Sequence, residues 1–248
     1  MPKAQASMSI ASTMEDRRQQ LSKNLEAVQE RIGLAADKAN RQRSEVCLVA
    51  VTKYVDAEVT RDLVQAGCLD LGESRPQQLW SKAEALADLD LRWHQIGHLQ
   101  RNKLRRTLPL VSLIHSVDSE RLLNAIDDTQ AELDPGAPIP ILLEVNTSGD
   151  KAKHGFGADG VRRAVELSAS KQNIRLRGLM CMAGFETTPE QARREFDTLR
   201  AMRDQLQDEF PNADLSELSM GMSGDFEVAI AAGATLVRVG SLLFDGIV

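Results

Sequence analysis

In the stretch EVCLVAVTKYV, the apolar residues Val46, Cys47, Leu48, Val49, Ala50 and Val51 lead to a lysine, Lys53. A near-continuous apolar run is the pattern of a strand covered on both faces. Desolvating an ammonium is costly, so a lysine at the end of such a strand either snorkels to solvent or serves as an amine nucleophile. Near the other end of the chain, SMGMSGDFEVAIAAGATLVRVGSLLFDG places Gly221, Ser223 and Gly224 in one loop and Gly240 and Ser241 in another. Such glycines admit backbone N–H groups close to an anion, and serine hydroxyls add donors. Read more plainly, they are turns and helix caps. Set against Lys53, the two loops suit an imine between the lysine and a carbonyl compound that carries a phosphate.

These residues need a frame that brings the two ends of the chain together. Strand candidates fall at about 46–53, 69–73, 92–97, 111–116, 139–146, 174–181, 215–220 and 235–240, each separated from the next by a segment that can be helical. Residues 188–208, with Phe196, Leu199, Met202 and Leu206, read as a long amphipathic helix, whereas the segment 102–107 is short. Eight strands alternating with helices in 248 residues predict an α/β fold, a single (β/α)8 TIM-type barrel, rather than an open sheet. An additional helix precedes the first strand, with Leu21, Leu25, Val28 and Ile32 at helical spacing and Gly33 as its expected end. Residues 1–13 are expected to be a flexible tail and 14–248 the barrel. In such barrels the active site lies at the C-terminal ends of the strands, and a phosphate site is often built by the loops after strands seven and eight. Lys53 and both glycine–serine loops fall at those places.

Two chemistries fit a lysine facing a phosphate cup: pyridoxal 5'-phosphate (PLP) held as an aldimine, and a Schiff-base aldolase acting on a phosphorylated sugar. Arg238, near the end of the last strand in TLVRVGS, favours the first. An inward arginine there can donate to a pyridine nitrogen, although it can equally grip a carboxylate or the phosphate. No acid/base pair placed for an aldolase stands out.

The ordered set AVTKY around Lys53, LGES at 71–74, WHQIGHLQRNK at 93–103, IHSVDS at 114–119, EVNTSGDKAKHGF at 144–156, GLMCMA at 178–183 and SMGMSGDFEVAIAAGATLVRVGS at 219–241 resembles the YggS/PROSC family of PLP homeostasis proteins. The likeness spans roughly residues 20 to 246. It implies the alanine-racemase-like barrel of PLP fold type III without the racemase's β domain. It also implies an aldimine on Lys53, a phosphate surrounded by Ser219, Ser223, Gly240 and Ser241, and Arg238 at the pyridine nitrogen. Ser74 stands where many members carry Asn. The function implied is PLP homeostasis, by buffering the cofactor or delivering it to PLP-dependent apoenzymes, with effects on amino-acid and keto-acid metabolism and without robust catalysis. The alternative is a PLP-dependent amino-acid racemase. A two-base racemase needs a proton-transfer group opposite the lysine, commonly a tyrosine. The one tyrosine here, Tyr54, adjoins Lys53 and is expected on the other side by strand alternation.

Composition sets the surroundings. A net charge of −6 argues against nucleic acid or an anionic membrane as the main partner, and no apolar run approaches spanning length. Three scattered cysteines suit a reducing, cytoplasmic setting. His94 and His98 are four apart, but their segment reads as strand and turn without a Glu or Cys companion, so no metal is expected. Arg101, Lys103, Arg105 and Arg106 read as a solvated face. His115 is either a mouth residue or a satisfied rim histidine. A monomer or weak dimer is expected.

Overall fold

The computed structural model describes residues 3–148, 154–184 and 188–248, with side chains from Met14 onward. Eight parallel strands close into a barrel in chain order. They are β1 (Cys47–Val51), β2 (Asp70–Glu73), β3 (Arg92–Gln95), β4 (Leu113–Val117), β5 (Ile139–Glu144), β6 (Ile174–Met180), β7 (Glu217–Met222) and β8 (Leu236–Val239). Each overlaps its expected window. The strands are followed in turn by α2 (Ala57–Gln65), α3 (Pro76–Ala85), α4 (Leu104–Thr107), α5 (Glu120–Leu133), α6 (Ala158–Ala169), α7 (Pro189–Glu209) and α8 (Phe226–Ala231), while only turns follow β8. The short segment after β3 is a single turn of α-helix flanked by 3-10 turns.

The N-terminal helix α1 (Lys3–Lys38) takes the place in the ring that no helix after β8 fills. It packs between α8 and α2. Leu21, Leu25, Val28 and Ile32 are all buried, as their spacing predicts, and each contributes about 1.5–3 kcal/mol by leaving water. Arg17 and Arg18 both donate to the buried Asp62 carboxylate of α2 at 2.8 Å, and Asn24 Nδ2 donates to the carbonyls of Leu243 and Asp245 at 3.1 and 2.9 Å. The expected stop at Gly33 is corrected. The helix runs on to Lys38 because Ala35 and Ala36 extend its buried face, and a glycine in a helix interior costs only about 1 kcal/mol. Residues 3–13 enter as backbone of α1, and residues 1–2 of the expected tail lie outside the described residues.

Alternation along each strand sorts side chains between the helix layer and the barrel interior. Val49, Leu113, Leu142, Met180 and Leu236 make an apolar cluster separate from the main core between strands and helices. On the same period, Val51 follows Val49, His115 follows Leu113, and Arg238 follows Leu236. Polar side chains thus enter the barrel at ordinary interior positions. Gly72 makes room among them: a Cβ there would lie 3.0 Å from Val49 Cγ1 and 3.3 Å from Ile96 Cδ1. Among the described residues no helix is long and apolar enough to cross a membrane.

Candidate functional site

A cavity of about 320 Å³ opens at the C-terminal ends of the strands. Of the six residues singled out from sequence, Lys53, Ser223, Arg238, Gly240 and Ser241 line it. Gly224 and Ser74 join them, with Tyr54, Ile96 and Met182 on the walls. Parallel closure of β8 against β1 brings the chain's two ends to one mouth, with Val49 paired to Arg238 and Ala50 to Val239.

Lys53 lies one residue past the end of the strand and its neighbour, in the turn that begins at Thr52. That turn is anchored from below. Lys82 of α3 is buried, pairs with the fully buried Glu73, and donates to the Thr52 carbonyl at 2.6 Å, while Thr52 Oγ1 donates to Glu73 Oε1 at 2.7 Å. Two lysines therefore divide the work: Lys82 is spent on an internal ion pair, and Lys53, half-buried, keeps its amine in the cavity. Neither Lys82 nor Glu73 was assigned a role from sequence; a lysine on a helix facing the end of LGES is the signal that points to them. Tyr54 is corrected. The strand has ended at Val51, so alternation no longer applies, and Lys53 Nζ lies 4.8 Å from the centre of the Tyr54 ring rather than across the cavity from it.

The two glycine–serine loops meet as the spacing predicts. The Gly240 N–H donates to Ser223 Oγ at 3.1 Å, tying the β8 loop to the β7 loop. Gly221, at φ +91°, turns the chain where a Cβ would stand 2.5 Å from Ala229 Cβ. Asp225 then accepts from the Met222 N–H at 2.6 Å. Burial raises the Asp225 carboxyl, opposed by the Met222 N–H and by Arg238. Around Gly224, which is exposed, nothing lies within 4 Å of where a Cβ would stand. On the opposite wall, Gln95 Nε2 clamps the carbonyls of Ser74 and Gly97 at 3.1 and 2.8 Å.

Arg238 is 3% exposed, and its bonds go to a hydroxyl and a carbonyl rather than to a carboxylate: Nη1 to Ser219 Oγ at 2.5 Å and Nη2 to the Cys181 carbonyl at 2.9 Å. Burial pushes its guanidinium below the usual range, opposed by Cys181, Asp225 and Glu144, and arginine nonetheless stays charged in proteins. Ser219, which the resemblance implies near the phosphate, is not among the residues lining this cavity. It is fully buried on β7, three residues before the strand ends at Met222, where it bonds Arg238 and His115 Nδ1. Glu144, at the end of β5, is raised to about 7 by burial and by the neighbouring Asp118.

The histidines separate. His94 and His115 are buried inside the barrel and bonded to each other at 2.9 Å. His98 lies on the rim outside the cavity lining, bonded to Asp118 at 3.0 Å and stacked on His154. The strand-and-turn geometry thus points the two histidines of WHQIGH in different directions. In the basic run, Arg105 pairs with Glu132, and Lys103 and Arg106 lie over the Trp80 ring. Cys47, Cys68 and Cys181 are free thiols pushed up to about 12, chiefly by burial, which makes them poor nucleophiles. Residues 149–153 of the EVNTSGDKAKHGF motif lie outside the described residues.

Comparison with known proteins fits this geometry. The family model for the alanine racemase N-terminal domain matches residues 23–246. A "Pyridoxal phosphate homeostasis protein" of Aquifex aeolicus is 40% identical over 220 residues, covering 89% of this chain and 95% of that relative. Among solved structures, PipY of Synechococcus elongatus, with PLP bound, superposes with a TM-score of 0.81 at 33% identity over 90% of this chain and 99% of that one. Alanine racemase from Streptomyces coelicolor, at 17% identity and a TM-score of 0.71, shares the fold over 92% of this chain and 58% of its own. Identity sustained along nearly the whole length of its relatives, on a barrel whose lysine and glycine–serine loops share one mouth, places the chain in the pyridoxal phosphate homeostasis protein family.

Proposed function

We propose that this chain binds PLP reversibly through Lys53 and acts as a holder of the cofactor, buffering it and passing it to PLP-dependent apoenzymes in the cytoplasm, as a monomer or weak dimer. The observation that carries the reading is one cavity lined by the Lys53 amine, the Arg238 guanidinium and the loops of Ser223, Gly224, Gly240 and Ser241. When bound, the cofactor supplies an aldehyde carbon that an amine can capture and a phosphate that backbone N–H groups can hold. Ser223, Gly224, Gly240 and Ser241 serve as the phosphate cup, and the open space at Gly224 admits the anion. Arg238, being a donor only, would act on the ring nitrogen as a hydrogen-bond donor. The Lys82–Glu73 pair fixes the turn from which Lys53 projects.

The racemase alternative gains nothing from the geometry. Likeness to racemases at this level of identity concerns the fold. Tyr54 stands beside Lys53, not facing it. The test is spectral titration of the purified chain with PLP, followed by borohydride reduction and peptide mapping. The reduced adduct is expected on Lys53 and absent in Lys53→Ala; an adduct on another lysine overturns the assignment.

A further inference from the structure

Below the cavity, four interior residues connect Arg238 to the far end of the barrel. Arg238 Nη1 is 2.5 Å from Ser219 Oγ, Ser219 Oγ is 2.8 Å from His115 Nδ1, His115 Nε2 is 2.9 Å from His94 Nδ1, and His94 Nε2 is 3.1 Å from Asp70 Oδ1. Arg92 grips the same Asp70 carboxylate at 2.7 and 2.6 Å. The series crosses from β8 and β7 through β4 and β3 to β2. It ends where Asp70, Arg92 and His94 line a second cavity, of about 620 Å³, at the N-terminal ends of the strands.

The direction of every hydrogen bond follows from the arginine. A guanidinium only donates, so Ser219 Oγ accepts from Arg238 and turns its single proton to His115 Nδ1. His115 is wholly buried and kept neutral, since burial pushes it well below the ordinary histidine range, with His94 and Arg238 adding to the effect. Its proton therefore sits on Nε2 and is donated to His94 Nδ1, and the His94 Nε2–H is donated to Asp70. The reverse order fails at both ends. It would strand the Ser219 hydroxyl proton in a fully buried position and set a bare His94 Nε2 against a carboxylate. An imidazolium at His94 would satisfy Asp70 but would still strand the Ser219 proton.

We propose that Ser219, His115, His94 and Asp70 are positioning residues for Arg238, forming a one-directional hydrogen-bond series that aims its guanidinium at the ring of the bound cofactor and stabilises its charge. Each member presents its acceptor side towards the arginine, and such chains polarise cooperatively in a low-dielectric interior. Anchoring by Asp70 and Arg92 at the floor keeps the imidazoles from rotating. The inference rests on the PLP reading of the cavity.

Two measurements test it. Long-range ¹⁵N–¹H correlation spectra of the histidine rings in the full chain, without added cofactor, are expected to show His94 and His115 as neutral Nε2–H tautomers. Nδ1–H tautomers, or an imidazolium at either residue, overturn the series. In the second, PLP is titrated into wild type, Ser219→Ala, His115→Phe and His115→Gln. The first two variants are expected to weaken PLP about tenfold or more and to shift the absorption band of the bound cofactor. Gln, which offers an acceptor and a donor, is expected to restore part of both. A wild-type band and affinity in all variants, or Gln as damaging as Phe, overturns the proposal. Should His115→Phe fail to fold, His94→Asn makes the same comparison from the next link. A wild type that takes up no PLP refutes the function proposed for the cavity, while the tautomer spectra still decide the series on their own.

Discussion

Lys82 Nζ donates to the Thr52 carbonyl at 2.6 Å, so a lysine locked in an ion pair holds the backbone from which the candidate reactive lysine projects. Removing one member of a buried pair leaves the other charge uncompensated. Lys82→Met is therefore expected to lose about 3–5 kcal/mol in urea denaturation and to slow capture of PLP by Lys53, and adding Glu73→Gln to recover part of the stability. Equal stability of the single and double variants would show that the pair does not brace the turn.

Charge at the β8 loop gives a second prediction. Ser241 lines the cavity beside Gly240 at its exposed rim, so a carboxylate in its place would repel the cofactor phosphate at short range. Ser241→Asp is expected to weaken PLP binding more than Ser241→Ala. Identical dissociation constants for both variants and wild type, read from the spectral titration, would remove Ser241 from the cup.

Glu144 predicts a pH dependence. Its carboxyl is raised from 4.5 to about 7 by burial and by Asp118. Between those values the folded state holds a proton that the unfolded state has released, so this contribution to stability is complete below pH 4.5 and falls as pH rises to about 7. The loss is on the order of 3 kcal/mol. Glu144→Gln, which cannot ionise, is expected to flatten the decline in unfolding free energy across that window. An unchanged slope would place the titration elsewhere.

Arg238 and Tyr54 together predict binding with little turnover. An arginine partner leaves the ring a weaker electron sink than a carboxylic acid partner would, and Tyr54 beside Lys53 supplies no opposing base. Chiral product analysis with alanine is expected to show no enantiomer exchange above that of Lys53→Ala. Robust exchange that vanishes in the lysine variant would promote the racemase alternative.

The barrel was legible because strands buried on both faces write themselves as apolar runs, and the meeting of the two glycine–serine loops was legible from their places after the last two strands. Lys53 was legible from its place after such a run. Contacts between strands were not. Ser219 falls inside the strand window 215–220, and only the register shows its depth, level with Leu236 on β8 and deeper in the barrel than Ser223. His115 looks identical in sequence whether it faces a mouth or an interior neighbour. The Lys53–Tyr54 arrangement was misread because alternation was carried past the strand's last hydrogen bond. Gly33 was read as a stop because the buried alanines beyond it carry little hydrophobic signal.

Placing α1 between α2 and α8 also orders the events of synthesis. The helix made first leans on elements made last, with Asn24 holding carbonyls at Leu243 and Asp245. During synthesis α1 can meet α2 early, but its contacts with α8 and with the turns after β8 must wait for those later residues, so ring closure becomes a late step joining distant parts of the sequence. A circular permutant that moves α1 behind β8 would join helix and partner while both are new, and should fold to the same barrel with less exposure to aggregation along the way.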